Sequence, residues 1–483
     1  MLMYYREDRP CFGPYWGSLS YDDRSMTPQQ PSSAGPALPT PGTSLRSGKV
    51  WRNFGRNQSC VPAVWERPTT EEELVAIIRR AALTGRTVKA VGSGHSYSAI
   101  ACTDGHLLDL SDYSRVLHVD RSTGLVTAQA GIPLWRLSEE LAAHGLALEV
   151  LGDINYQSIA GAISTGTHGP GIKFSNLSSS VRAMRLIAGD GTVLECSAEL
   201  HPEVFSAARV GLGALGMLST VTIQAVPAFN LHAVEEPLAM DRILSDLDDL
   251  IDNNDHFGFF WFPGSKLALT KRSRRTQEPI RPRTKSAKWF EEVLIDNYVY
   301  GAACKVARRF PPAAKTIVSI ASQKSAHDWI DRSDRVFATP RLVRVIEMEY
   351  SIPREAFPEA FTRLGRLIDS IGTPITVPVE IRWSAGDNIP LSHASGRDSA
   401  YIAAHMFRGE PYDQYFQGVE KIMSDYQGRP HWGKLHFQNA ETLAPRYPQW
   451  DEFQAIRKRM DPDGRFRNPY TDRVLGLINQ GPS

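Results

Sequence analysis

The sequence has little that would commit it to a membrane, a secreted scaffold or a polyanion. It contains no run of about 18 apolar residues, the length that a bilayer-crossing helix needs. The N-terminal stretch MLMYYREDRPCFGPYWGS lacks the apolar core of a secretory signal. The five cysteines, Cys11, Cys60, Cys102, Cys196 and Cys304, are odd in number and widely spaced, without a Cys-x-x-Cys pair, which fits a reducing compartment better than a disulfide framework. Net charge is nearly absent: 54 basic residues face 53 acidic ones, so no global field draws the chain to nucleic acid or an anionic membrane. A cytoplasmic protein is expected, with any peripheral membrane contact a local matter.

What is present suffices for two or three packed units in 483 residues. Residues 1–45 end in TPQQPSSAGPALPTPGTS, whose composition predicts a disordered tail. In TTEEELVAIIRRAALTG, Thr69 with Glu72 or Thr70 with Glu73 can form a capping box, Leu74, Ile77, Ile78 and Ala81 share a face, and Gly85 closes the helix. The strand TVKAV and the loop VGSGHSYS follow. A Rossmann fingerprint runs strand, Gly-x-Gly-x-x-Gly, helix. Here Gly92-x-Gly94 leads into HSYSAIACTDG, with neither the third glycine nor a helical period, and that reading fails. HLLDLS, RVLHVD, GLVTAQAG and MLSTVTIQAV read as strands, VRAMRLIAGDGTVLECS as a hairpin turned at Asp190-Gly191, and PLWRLSEELAAHG as a helix with Leu134, Leu137 and Leu141 inward. The fold class is α+β.

A second stretch of small residues, QSIAGAISTGTHGPG at 157–171, reads as a loop that lets backbone approach a ligand. Consecutive N–H groups in such loops favour an anion, usually pyrophosphate, and two of them in one domain point to a dinucleotide. The glycine-rich character ends near Pro227, where a domain boundary is expected. Between 271 and 290 lie eight Lys or Arg and one acid, read as a solvated loop, the other reading being a docking patch for an anionic partner.

ITVPVEIRWSA, residues 375–385, alternates cleanly: Ile375, Val377, Val379, Ile381 and Trp383 share one face, and Glu380 and Arg382 project side by side from the other. On residues alone this is a salt pair on a solvated sheet. HWGKLHF at 431–437, if a strand, puts Trp432, Lys434 and His436 on one face and His431, Gly433 and Leu435 on the other. With no His-Glu-x-x-His and no cysteine cluster, no metal is expected. His168 and His405 read as structural, with His405, on YIAAHMF, placed to face a cavity.

VKAVGSGHSYS, QSIAGAISTGTHG, VEIRWSAGD and HWGKLHF, in this order, resemble the vanillyl-alcohol-oxidase type of flavoprotein with its PCMH-type FAD-binding fold, and within it the aldonolactone oxidoreductases. The likeness runs from about Trp51 to Leu477. It implies an FAD-binding domain at 46–228, an α+β substrate cap at 229–429 and a segment, 430–483, that completes the site and packs on the FAD domain. It implies FAD bonded through a ring nitrogen of His95 to the flavin 8α carbon, with the amides of Gly92, Ser93, Gly94, Ser96 and Tyr97 at the pyrophosphate. Ser158, Gly161, Ser164, Thr165 and Gly169 would line the flavin, and the Ile223 backbone would approach its pyrimidine edge. Gly152 matches an alanine said to block oxygen in plant galactonolactone dehydrogenase. Glycine leaves room for oxygen without deciding between oxidase and dehydrogenase.

By the same resemblance Glu380 positions the substrate C2 hydroxyl and takes its proton, while Arg382 and Lys434 meet the developing negative charge. The implied reaction oxidises a sugar 1,4-lactone, L-gulono-1,4-lactone or D-arabinono-1,4-lactone, to the 2-keto form that leads toward ascorbate or an analogue. Electrons then pass to O2, a redox protein or a dye. Two other readings are an alditol oxidase acting on xylitol or sorbitol, and a non-catalytic flavin-binding electron-transfer module. No nucleic-acid partner is expected.

Overall fold

The computed structural model describes residues 48–372 and 374–478; the tail expected over 1–45 lies outside them. The described residues form one compact unit that buries two large cores. The helix expected after Thr70 spans Glu71–Leu83 and buries Leu74, Ile77, Ile78 and Ala81. Thr70 accepts from the Glu73 N–H at 3.2 Å, but the Glu73 carboxylate accepts from Thr69 N–H at 2.7 Å, one residue further out than a capping box places it.

The first core lies against two sheets. Val64–Glu66, His106–Asp109 and Val88–Val91 form a parallel three-stranded sheet. Val193–Ser197, Val181–Ile187, Met217–Gln224, Leu125–Gln129 and Val116–Asp120 form an antiparallel five-stranded one. Tyr447, Trp450, Phe453, Phe466 and Val474 return from the C-terminal segment to complete this core.

Eight strands, antiparallel throughout, carry the second core in the order His327–Arg332, Asn230–Ala239, Leu267–Thr276, His256–Trp261, Val379–Ser384, Ser399–Phe407, Val345–Pro353 and Arg429–Pro430. Period-two alternation splits its faces. Val379, Ile381 and Trp383, Ala400, Ile402 and Ala404, and Ile346, Met348 and Tyr350 enter the core with the helices Phe357–Ile371 and Asp413–Asp425. Each fully buried Leu or Phe on those helices contributes about 1.5–3 kcal/mol. The opposite face therefore carries Glu380, Arg382, Ala403, His405, Glu347 and Glu349, and it becomes the floor of a cavity.

Two expectations are corrected. The 157–171 stretch is not wholly a loop: Ile159–Ser164 is a short helix capped by Ser158, because Ile159, Ala160, Ala162 and Ile163 fall on one side and bury. The basic stretch is a solvated loop only in its middle, where residues 277–280 are exposed and lie outside helices and strands. Leu267–Thr276 is an interior strand whose register sets Lys271 opposite Glu235, with ammonium and carboxylate 3.1 Å apart. Arg272 pairs with Glu236, Arg281 with Asp328 at 2.8 Å, and Arg283 with Glu291. Sequence counting sees the cations together; the fold distributes their partners. No helix among the described residues is long and apolar enough to cross a membrane.

Candidate active site

Above the charged sheet face lies a cavity of about 660 Å³, lined among others by His95, Gly152, Glu380, Arg382, His405 and Lys434. Three segments remote in sequence are stitched together to make it. Tyr97 N–H donates to the Gly433 carbonyl at 2.6 Å, and Ser98 Oγ donates to the Trp432 carbonyl at 2.9 Å, which fixes the His95 loop to the turn that bears Lys434. Gly92 meets the second small-residue stretch so closely that a Cβ there would lie 2.1 Å from Ser158 Oγ. Only glycine fits.

His95 opens into the cavity and is otherwise packed, with the Phe54 ring 4.7 Å away centroid to centroid. Burial, helped by the Lys434 charge, lowers its imidazole to about 4, so the ring is neutral near pH 7. Ser96, Tyr97, Gly152 and Thr165 also line the space. Gly94 takes φ +67°, a left-handed conformation that glycine adopts without strain. Ser93 Oγ donates to the Tyr156 carbonyl. Ser158 and Gly161 sit at the cap of the short helix, Ser164 ends it, and a Cβ at Gly169 would meet the Leu151 carbonyl at 2.4 Å. Ile223 is buried in the middle of the five-stranded sheet, paired with Val126 on one side and Val181 on the other.

On the floor, Arg382 Nη2 lies 2.7 Å from Glu349 Oε1, and its Nε is 3.6 Å from Glu380 Oε1. Gly258 leaves room for it, since a Cβ there would stand 3.3 Å from Arg382 Cγ and 2.8 Å from the Ile381 carbonyl. The pair is buried, so the solvated salt pair expected from residues alone is not what the fold builds. Burial would raise the Glu349 carboxyl, but the Arg382 charge and His168, 3.1 Å away, hold it well below the usual range. Glu380 goes the other way: burial, with Asp153 and Glu349 nearby, outweighs Arg382 and raises it. Two carboxylates on one floor thus have opposite tendencies, one fixed as an anion and one inclined to take a proton.

Lys434 Nζ lies 2.5 Å from Glu347, which also stands 3.6 Å from His405. HWGKLHF is not the strand on which its two faces were assigned. Lys434 N–H donates to the His431 carbonyl at 2.9 Å and closes a turn, so His431, Gly433 and Lys434 all reach the cavity while Trp432 is buried in the first core. His168 and His405 both line the cavity. His168, Glu349 and His431 bring one possible ligand atom each within 4.8 Å, but Arg382 already supplies the positive charge at that carboxylate. Glu347 and Glu349 were not anticipated, although VIEMEYSI carries the same alternation as VEIRWS; Asp153 and Arg341, 3.0 Å apart, have no such pattern to announce them.

The donor set fits a flavin: a tight glycine-bearing contact between two loops, a neutral histidine at the wall and two fixed cations. Residues 62–197 match an FAD-binding domain family, and residues 221–474 match the family described as D-arabinono-1,4-lactone oxidase. Among solved structures the chain is similar to cholesterol oxidase from Brevibacterium sterolicum, TM-score 0.75 and 18% identity over 91% of this chain and 99% of that one, which shows the fold, the PCMH-type FAD-binding architecture. Fold and site define an FAD-dependent oxidoreductase. The chain belongs to the aldonolactone oxidoreductases, the D-arabinono-1,4-lactone oxidase family. It is 46% identical to L-gulono-1,4-lactone dehydrogenase of Mycobacterium tuberculosis, over 88% of this chain and 99% of the relative, and 35% identical to L-gulonolactone oxidase of Bos taurus, over 89% and 98%. D-arabinono-1,4-lactone oxidase of Kluyveromyces lactis is 27% identical, over 83% and 87%.

Proposed function

We propose that this chain oxidises an aldonolactone, L-gulono-1,4-lactone being the first candidate, at the C2 hydroxyl to the 2-keto lactone, a step toward ascorbate or an analogue. The observation that carries the reading is the buried Glu380–Arg382 pair, held by Glu349 on a floor that shares one cavity with His95. FAD, when bound, supplies a two-electron hydride acceptor. His95 is the residue to hold it covalently, since a neutral imidazole nitrogen at a rigid wall is a competent nucleophile. Gly92, Ser93, Gly94, Ser96 and Tyr97 would hold its pyrophosphate, and Ser158, Gly161, Ser164, Thr165 and Gly169 the second side. The Ile223 backbone would meet its pyrimidine edge.

Glu380, raised by burial, accepts a hydrogen bond from the C2 hydroxyl and takes its proton. Arg382 cannot swing away, because Glu349 holds its guanidinium, and it offers N–H groups to the negative charge that grows as the hydroxyl is oxidised. Lys434 supplies a second fixed cation, anchored by Glu347. Gly152, on the cavity wall, leaves space for oxygen. The acceptor is O2 or a separate redox carrier, and comparing turnover in air with turnover on a dye under argon distinguishes them. Initial rates on L-gulono-, L-galactono- and D-arabinono-1,4-lactone should exceed those on xylitol and sorbitol; the reverse order would make the chain an alditol oxidase.

A further inference from the structure

Two cysteines stand outside the chemistry above, at the ends of two segments that meet beside the His95 loop. The strands Trp51–Arg52 and Ser59–Cys60 pair with Trp51 opposite Cys60. Just beyond Cys60, Ala63 N–H donates to the Asp104 carbonyl at 2.9 Å and Val64 N–H to the Gly105 carbonyl at 3.2 Å, so the backbone after Cys60 runs beside the backbone after Cys102. Both side chains pack on the small apolar cluster of Trp51, Val91 and Leu107. Both are half-buried free thiols, whereas Cys196 and Cys304 are buried. The parallel pairing that sets Val64 opposite His106, carried back four residues, brings Cys60 alongside Cys102.

We propose that Cys60 and Cys102 are a dithiol that closes to a reversible disulfide, clamping the hairpin 51–60 onto the His95 loop. That hairpin touches the loop at several points: the Phe54 ring is against His95, Asn53 Nδ2 donates to the Ser96 carbonyl at 2.9 Å, and Asn57 Nδ2 donates to the Tyr97 carbonyl at 2.8 Å. A covalent tie from its end to the end of the loop restrains the wall that positions the imidazole.

The reactivity divides between the two thiols. The neighbouring Cys102 thiol lowers Cys60 to about 7, giving a thiolate near neutral pH, and the same pairing keeps Cys102 protonated. The oxidant is of the hydroperoxide class. The Cys60 thiolate attacks one peroxide oxygen, the O–O bond breaks, and Cys60 becomes a sulfenic acid while hydroxide or alkoxide leaves. The Cys102 sulfur then attacks the sulfenic sulfur, its proton leaves with the hydroxyl as water, and the S–S bond forms. Two thiols have lost two electrons and two protons; the peroxide has taken up both. A dithiol reductant reverses the step.

The test uses the full-length holoenzyme treated with a few equivalents of hydrogen peroxide, alkylated with iodoacetamide and digested without reduction. A Cys60–Cys102 linked peptide, with two fewer alkylated thiols per chain and full recovery after dithiothreitol, is expected. Both cysteines alkylated after peroxide, or Cys60 over-oxidised beside a free Cys102, would overturn the proposal. Cys102→Ser should instead accumulate a Cys60 sulfenic acid that dimedone traps; an unmodified Cys60 there would also overturn it. The urea midpoint of the wild type should rise on oxidation and that of Cys102→Ser should not.

Discussion

Arg382 is fixed on one side by Glu349 and faces Glu380 on the other, in a setting where water offers little screening. Replacing it with Ala should cost on the order of 2.7–4 kcal/mol of transition-state stabilisation, about 10²–10³ in kcat/KM, as loss of one preorganised charge donor does. A rate within a few-fold of wild type would remove Arg382 from the reaction. His95 makes a separate claim. Acid-precipitated wild type should keep its yellow colour through washing, and His95→Ala should release all flavin to the supernatant; colour retained by the variant would move the bond elsewhere. These residues were legible to different degrees. Glu380 and Arg382 stood out through strand alternation, but their burial did not, because alternation says which residues share a face and not what covers it. Glu349 escaped notice because carboxylates on one strand announce nothing until folding brings Arg382, from two strands away and paired with Tyr401 on the strand between, to within 2.7 Å.

At the scale of elements, local signals were reliable where one periodicity ruled. The helix Glu71–Leu83, the helix Leu134–Ala143 and the hairpin of Val181–Ile187 with Val193–Ser197 follow their apolar spacing and turn residues. The 157–171 stretch misled because alanine and glycine are compatible with both a ligand loop and one helical turn, and the four buried apolar residues decided for the helix. The 431–437 stretch misled because a tight turn lets neighbours face one way. Leu364, wholly buried on Phe357–Ile371 against the sheet, lets the floor's dependence on its backing be measured. Leu364→Ala should lower stability by about 2–5 kcal/mol, read by urea denaturation, while flavin stays bound below the transition. A loss under about 1 kcal/mol would mean that the helix packs loosely there.

For the whole molecule, the cavity gathers buried carboxylates whose ionisation is tied to folding. Glu347 and Glu349 are lowered in the folded state by Lys434 and by Arg382 with His168, against the effect of burial. A group lowered on folding adds stability above its unfolded value, about 4.3 for Glu, and that stability is lost as pH falls through the folded value. The Tm should therefore fall steeply below about pH 4.5, and Glu349→Gln, less stable at neutral pH, should show a shallower acid-side slope; an unchanged slope would mean that other groups govern it. The sequence could not disclose this network, since its members come from strands and turns hundreds of residues apart, joined only when the His95 loop, the sheet face and the Lys434 turn close on one space.

The most direct measurement is a single turnover without oxygen: purified holoenzyme mixed under argon with L-gulono-1,4-lactone, with the visible flavin absorbance followed in time. Rapid bleaching in the wild type, slowed about 10²-fold or more in Arg382→Ala, is the predicted result. A flavin that stays oxidised with every aldonolactone offered would contradict the assignment of this cavity to lactone oxidation.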